Sequence, residues 1–185
     1  IEGLITKGAW EMSDMFELKA IEMIARYLET AVNEPQNAEA RNGMAVAQYI
    51  AGMAFSNVGL GVVHGMAHPM GAIFDIPHGV ANALLLPYVM QYNAESPAAP
   101  KYIEIAKAMG VDTTGMTIEE GVKAAVEAVK QLSLSIGIPQ KLNEIGVRKE
   151  DLHQLAIDAF NDVCTGGNPR PTSIEDIEAL YRSLM

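Results

Sequence analysis

Residues 42–94 read NGMAVAQYIAGMAFSNVGLGVVHGMAHPMGAIFDIPHGVANALLLPYVMQYNA, and Asp75 is the only formally charged residue among them. Segments without charge are typically buried, because moving an unpaired charge out of water costs free energy. Three of the four histidines, His64, His68 and His78, nevertheless lie in this segment. Imidazoles in such surroundings need partners, and a metal ion is a partner that engages several at once. The segment is therefore predicted to form both the core and the functional centre.

The composition favours an all-α fold. Of the 185 residues, 49% are hydrophobic but only 6% are aromatic, and alanine, methionine, leucine and isoleucine dominate. These residues are helix formers, and no alternation typical of strands persists beyond a few residues. The length suits one domain with a substantial core. We predict a single helical metal-binding or catalytic domain over residues 1–185, built as a bundle of seven to nine helices.

Capping residues and prolines predict where the first helices begin and end. Ser13 or Asp14 is the expected N-cap of a first helix that ends near residues 33–35. A second helix is expected from about Asn37 to Val63 and should have stopped by Pro69, because a residue before proline avoids the α region. Asp75 is expected to cap the next helix, which begins near residue 78 and ends at Asn93.

The charged second half of the chain predicts further amphipathic helices. Thr117 and Glu120 form a capping box, in which each side chain bonds the backbone N–H of the other residue. Thr172 or Ser173 is a second expected N-cap, with the acidic Glu175 and Asp176 following it. The predicted ranges are 98–109, 118–136, 149–162 and 173–184.

Net charge and cysteine content exclude several classes of function. A formal charge of −10 disfavours nucleic acid and anionic membranes as partners. Residues 43–63 are uncharged and long enough to cross a bilayer, but Gln48, Ser56 and Asn57 favour a helix surrounded by other helices. The single cysteine, Cys164, excludes an internal disulfide and fits a cytoplasmic protein.

The spacing of the histidines predicts a shared site. His64 and His68 are four residues apart, so both rings face one side of a continuous helix. His78 arrives from the following helix, which makes three imidazoles from two neighbouring elements. The alternative is that each histidine is a core residue with its own hydrogen bond. Asp75 is the only carboxylate nearby in sequence, and a capping role suits it better than metal binding.

Longer motifs around these histidines resemble iron-containing (group III) alcohol dehydrogenases. The resemblance rests on Gly59–Pro69 and Pro77–Ala83. It extends over essentially the whole chain through further segments: Glu2–Ile5, Leu86-Pro87, Tyr92-Asn93 and Cys164–Arg170. Members of this family have an N-terminal domain that binds NAD(P) and a helical C-terminal domain that carries most of an Fe²⁺ site. The resemblance implies that this chain is the helical domain.

The resemblance also implies roles for the histidines. It makes His64 and His78 metal ligands and places His68 in the cleft near the nicotinamide and substrate, as the catalytic candidate. Spacing alone would instead pair His64 with His68. A helix break at Pro69 would turn His68 away and reconcile the two readings, so we follow the family assignment.

The family's remaining two ligands come from an Asp-x-x-x-His helix, which would fall immediately upstream of Ile1. The chain contains no strand–glycine-rich turn–helix unit for a pyrophosphate. We therefore expect a fragment that lacks the N-terminal nucleotide-binding domain, is inactive alone, and self-associates as a homo-oligomer. With only imidazoles available, the fragment would favour Zn²⁺ or Ni²⁺ over Fe²⁺.

Two further residues are candidates for the substrate pocket. Phe55 lies about two and a half helical turns before His64 and would flank the same cleft, although a core aromatic needs no such role. Cys164 precedes a Gly-Gly-Asn-Pro-Arg loop that would fold over the site, although a buried inert thiol is the commoner fate of a lone cysteine.

These observations favour the metal-bearing half of an NAD(P)-dependent alcohol dehydrogenase. It would act on small alcohols, diols or aldehydes, with the metal as a Lewis acid on the substrate oxygen. The alternatives are a non-catalytic helical assembly module and a module that stores or senses metal.

Overall fold

The computed structural model describes all residues from 1 to 185 and contains nine α-helices and no strand. Three short 3₁₀ helices cover Leu142–Ile145, Lys149–Asp151 and Thr165–Gly167. The predictions of an all-α fold and of seven to nine helices are thus confirmed. The α-helices are α1 (Glu2–Ile5), α2 (Glu11–Asn33), α3 (Ala38–Val58), α4 (Val62–Phe74), α5 (His78–Asn93), α6 (Lys101–Ala108), α7 (Ile118–Ser135), α8 (Leu152–Phe160) and α9 (Ile174–Ser183).

Helix α5 joins two hydrophobic cores. The larger core is formed with α4, α8 and α9 and includes Leu84, Leu85 and Val89. The smaller core is formed with α1, α2, α6 and α7 and includes Met90 of α5. Helices α2 and α3 pack against each other as a hairpin, and α4 packs between α5 and α8. Helices α4 and α5 of the charge-free segment therefore supply the centre of the fold, as predicted.

The expectation that the preceding uncharged residues form a helix surrounded by other helices is wrong. Helix α3 packs mainly on α2, its Val46, Tyr49 and Met53 are exposed, and none of its residues belongs to either core.

The predicted second helix is wrong in two places. It breaks between Val58 and Val62, where Gly59 adopts φ 81°, a left-handed conformation that favours glycine. Helix α4 then continues through Pro69 to Phe74. Proline costs one backbone hydrogen bond there, but Met66, Ala67 and Met70 are fully buried, and this packing outweighs the local preference against helix.

Two predicted caps are also wrong, whereas two are confirmed. Helix α2 begins at Glu11, and Ser13 lies in its first turn with its Oγ accepting from the Trp10 N–H at 3.0 Å. Asp75 does not cap α5; it ends α4 with φ 55°. Thr117 and Glu120 form the expected capping box, and Ser173 caps α9.

No single helix is long and apolar enough to span a membrane. Only α3 and α4 together pass that test, and they are bent by 107° relative to each other at their junction.

Gly65 fixes how closely α4 approaches the loop after α8, and it provides a test of this packing. A Cβ at Gly65 would lie 2.0 Å from Thr165 Oγ1 and 3.2 Å from the Ala159 carbonyl oxygen. We expect Gly65→Ala to lower the free energy of unfolding by about 1–3 kcal/mol, as overpacking does. Denaturant unfolding followed by circular dichroism measures this change.

Gly52 offers a matched control on the neighbouring helix. A Cβ at Gly52 in α3 would meet no atom within 4 Å, so alanine there should stabilise the helix by roughly 0.5–1 kcal/mol. Equal stability of the two variants would show that the contact between α4 and Thr165 is not tight.

Candidate metal centre

The three histidines of the charge-free segment converge where α4 meets the start of α5. Ring centroids of His64 and His78 are 5.3 Å apart, those of His68 and His78 are 5.5 Å apart, and those of His64 and His68 are 6.0 Å apart. His64 and His68 share one face of an unbroken helix. The expectation that Pro69 turns His68 away from the helix is therefore wrong, and His68 lies beside the other two rings.

Glu2 of α1 holds both the His64 ring and the start of α4. Its Oε2 lies 2.5 Å from His64 Nδ1, and its Oε1 accepts from the Val63 N–H at 2.6 Å. The Glu2 side chain is only 5% exposed. A carboxylate at a helix N-terminus is stabilised by the unpaired N–H groups there. Because Nδ1 is engaged, Nε2 is the nitrogen of His64 that is free to bind a metal.

Asp162 holds the His68 ring in the same way from the end of α8. Its Oδ2 lies 2.8 Å from His68 Nδ1, and its Oδ1 accepts from the Cys164 N–H at 2.8 Å. Partial burial would by itself raise the pKa of Asp162, but these hydrogen bonds outweigh it and the pKa is lowered. The carboxyl is therefore charged at neutral pH.

His78 is the first residue of α5, and its neighbours keep it neutral. Loss of hydration, followed by the charges that His64 and His68 would carry, lowers the pKa of His78. Neutral imidazole is the form that binds metals. Asn82 Nδ2 lies 3.1 Å from His78 Nε2, so this nitrogen can bind a cation only if the Asn82 amide turns away.

The pair His64 and His78 fits one divalent cation. A tetrahedral cation about 2.1 Å from one nitrogen of each of two imidazoles holds the ring centroids roughly 5 Å apart. The observed separation is 5.3 Å. Asn82 Oδ1 is buried and has no hydrogen-bond partner, and a cation or a water bound to it would satisfy such an atom.

A tighter group of potential ligands is formed by His68, Asp162 and Cys164, whose donor atoms lie within 4.8 Å of one another. We assign no cation to it, because His68 and both oxygens of Asp162 already pair with protein partners. Burial, followed by the charge of Asp162, raises the pKa of the Cys164 thiol to about 11. This thiol is protonated at neutral pH and is not an activated nucleophile.

An apolar cavity of about 310 Å³ opens beside His64. Its wall is formed mainly by hydrophobic residues of α2, α5 and α7, with Glu2, His64 and Asn82 as polar members. Ile1 lines the same cavity. A segment that precedes Ile1 would therefore reach the histidine cluster directly.

The two candidate pocket residues lie apart from this cavity. Cys164 is next to the His68–Asp162 pair. Phe55 is 37% exposed on α3, and its Cβ lies 3.2 Å from where a Cβ on Gly3 would stand. Neither residue lines the cavity beside His64.

Reasoning from the sequence missed the two carboxylates that hold the histidines. Glu2 is 62 residues from His64, and Asp162 is 94 residues from His68. No helical spacing relates either carboxylate to its histidine. Asp75 was the candidate carboxylate because it is close to the histidines in sequence. The only signal for Glu2 was that it lies in a segment carrying the family resemblance.

An all-helical domain whose three histidines converge at one place fits the helical domain that the sequence resembles. The chain belongs to the iron-containing alcohol dehydrogenase family, whose C-terminal model matches residues 1–185.

Within this family, the chain is clearly similar to enzymes named for small aldehydes and diols. The chain is 55% identical to lactaldehyde reductase of Escherichia coli (strain K12) over 183 residues, which cover 99% of this chain and 47% of that protein. It is 42% identical to 1,3-propanediol dehydrogenase of Klebsiella pneumoniae, over 98% of this chain and 47% of that protein. The chain thus spans about half the length of the curated relatives it matches.

The solved structures agree with the fold. The crystal structure of a 1,3-propanediol oxidoreductase superimposes with a TM-score of 0.97 at 41% identity, over 100% of this chain and 48% of that chain. An alcohol dehydrogenase from Oenococcus oeni superimposes with a TM-score of 0.96 at 36% identity and the same coverage.

Proposed function

We propose that this chain is the metal-bearing half of an NAD(P)-dependent, iron-containing alcohol dehydrogenase. Its substrates are small alcohols, diols or aldehydes such as lactaldehyde and 1,2-propanediol. The observation that carries the proposal is the 5.3 Å separation of the His64 and His78 rings, with His64 Nδ1 held by Glu2. The relatives that act on lactaldehyde and 1,3-propanediol support the substrate class.

His64 and His78 would hold the cation, and Glu2, by engaging Nδ1 of His64, would leave Nε2 to bind it. A divalent cation bound there supplies Lewis-acid polarisation of an alcohol or carbonyl oxygen. His68 lies beside these ligands with its Nδ1 engaged by Asp162. Its Nε2 is thus the atom that orients the substrate or exchanges a proton with it. Cys164, next to the His68–Asp162 pair, is placed to flank the substrate, whereas the role of Phe55 stays a prediction from the sequence.

The remaining two ligands come from residues upstream of Ile1, on an Asp-x-x-x-His helix. Two imidazoles alone do not complete a four-ligand site, and the cavity next to His64, which Ile1 lines, gives such a helix a place to pack. The nucleotide is bound by the N-terminal domain, and the whole enzyme is a cytoplasmic homo-oligomer. Residues 1–185 alone bind Zn²⁺ or Ni²⁺ more tightly than Fe²⁺ and do not turn over substrate.

Oxidation of NADH in the presence of lactaldehyde, with and without Fe²⁺, tests this proposal. We expect iron-dependent turnover when residues 1–185 follow the nucleotide-binding domain, and none from residues 1–185 alone. Turnover by residues 1–185 alone would contradict the need for upstream ligands. Inactivity of the longer protein with iron, NADH or NADPH and a panel of small aldehydes would instead favour a non-catalytic helical module.

A further inference from the structure

We infer that Asp162 is a positioning residue that sets the tautomer and orientation of His68. This inference rests on the proposed role of His68 at the substrate. The observation that carries it is a chain of two hydrogen bonds, from the Cys164 N–H to Asp162 Oδ1 and from His68 Nδ1 to Asp162 Oδ2, both 2.8 Å long.

The first hydrogen bond fixes the carboxylate. Asp162 follows α8 directly, and the Cys164 N–H two residues later bonds its Oδ1. The turn itself is anchored, because the Thr165 hydroxyl donates to the Ala159 carbonyl at 2.6 Å and Thr165 is buried. The carboxylate plane therefore cannot rotate without losing a backbone hydrogen bond.

The second hydrogen bond selects one tautomer of His68. A charged carboxylate only accepts hydrogen bonds, so Nδ1 of His68 must carry a hydrogen. In neutral imidazole Nε2 is then an acceptor, and it is the nitrogen left without a protein partner. Because the His68 side chain is 40% exposed whereas Asp162 is only 17% exposed, Nε2 remains accessible to a substrate hydroxyl.

The bond to Asp162 is the one hydrogen bond that the His68 side chain makes to the protein. The His68 ring lies beside both proposed metal ligands, with centroids 6.0 Å from that of His64 and 5.5 Å from that of His78, and these ring contacts do not fix which nitrogen carries the hydrogen. Without the carboxylate, rotation about the side-chain bonds or exchange of tautomers would remove the acceptor from the substrate. A side chain that must meet a substrate atom within hydrogen-bond reach loses rate when it is not held.

Asp162→Asn is the sharpest test because it preserves the shape of the side chain. The amide oxygen still accepts from the Cys164 N–H, so its NH₂ group is presented to His68 Nδ1. Nδ1 must then be an acceptor, and Nε2 becomes the protonated nitrogen. We expect kcat of the full-length enzyme to fall roughly 10- to 100-fold, by analogy with the loss of partners that orient metal-ligating histidines, with bound iron and KM unchanged.

Three further variants separate positioning from a general loss of structure. In the His68→Ala background, Asp162→Asn should have no additional effect on kcat, because groups that act as a unit are not additive. Asp158→Asn changes a carboxylate on α8, four residues before Asp162, that bonds Gln154 rather than a histidine, and it should leave kcat unaltered. Asp162→Glu should retain more activity than Asp162→Asn.

The tautomer is read directly from ¹⁵N shifts of histidine-labelled, metal-free full-length protein, with His68 assigned from its loss in His68→Ala. We expect the Nδ1–H form in the wild type and the Nε2–H form in Asp162→Asn. An unchanged tautomer, or equal losses of kcat from Asp162→Asn with and without His68, would overturn the inference. Normal turnover of His68→Ala with the expected tautomer switch would instead refute only the proposed role of His68.

Discussion

Replacing His64 with alanine in the full-length enzyme is expected to abolish both bound iron and turnover. In the proposed site His64 would contribute one of the two imidazoles that this chain offers to the cation, and its ring lies 5.3 Å from that of His78. A Lewis acid at the substrate oxygen supplies several kcal/mol of transition-state stabilisation. Since about 1.36 kcal/mol corresponds to a tenfold change in rate, kcat should fall by roughly three orders of magnitude.

Elemental analysis and steady-state kinetics on the same preparation measure both effects. His153→Ala is the matched control, because His153 is the one histidine outside the cluster and pairs with Glu178 on the surface. It should keep wild-type iron and turnover. Stoichiometric iron with normal turnover in His64→Ala would refute the assignment of this residue as a ligand.

Glu2→Gln is expected to weaken metal binding by about 10- to 100-fold, the usual cost of losing the partner of a ligating histidine. The amide retains an oxygen for the Val63 N–H, which Glu2 accepts at 2.6 Å. It replaces the negative charge beside His64 Nδ1 with a group that no longer compels Nδ1 to carry the hydrogen. His64 Nε2 then becomes less basic, and the orientation of the ring is held less firmly.

Titration of the metal-free full-length protein with Fe²⁺ or Zn²⁺ in a calorimeter measures this loss without requiring catalysis. Glu11→Gln changes an exposed carboxylate in the first turn of α2 and should bind metal as the wild type does. The free energy of unfolding of the metal-free protein should fall by only about 1 kcal/mol in Glu2→Gln, because the side chain interacts less strongly with the N-terminus of α4. Thermal unfolding of the metal-free proteins measures this change. Wild-type metal affinity in Glu2→Gln would show that the contact with His64 is structural only.

Several features of the molecule follow from local patterns and were predictable from the sequence. Helices α6 to α9 lie within a few residues of their predicted ranges, because amphipathic spacing and capping residues such as Thr117 and Ser173 act over one or two turns. The burial of α4 and α5 was predictable from the exclusion of charge, which is a property of composition. The same rule failed for α3, which is uncharged from residue 42 to 58 and yet largely exposed. The family motifs also lie in the charge-free segment.

Local rules failed where tertiary packing decided the backbone. Pro69 was expected to end a helix, but α4 continues past it because neighbouring side chains are buried in the larger core. The predicted second helix ends instead at Val58, because Gly59 adopts a φ of 81° and begins the turn into α4. Propensity at a single residue is worth a few kcal/mol, and burial of several apolar side chains exceeds it.

The sequence by itself determined that the protein is helical, that its histidines lie in the core segment, and that His64 and His68 share a face. Only the tertiary structure decided which groups hold those rings, because Glu2 and Asp162 come from α1 and from the turn after α8. Periodicity relates residues within one helix, whereas the partner of a buried imidazole is set by how separate helices pack. Each imidazole ring needs a hydrogen-bond partner, and the packing of the helices decides which residue that partner is.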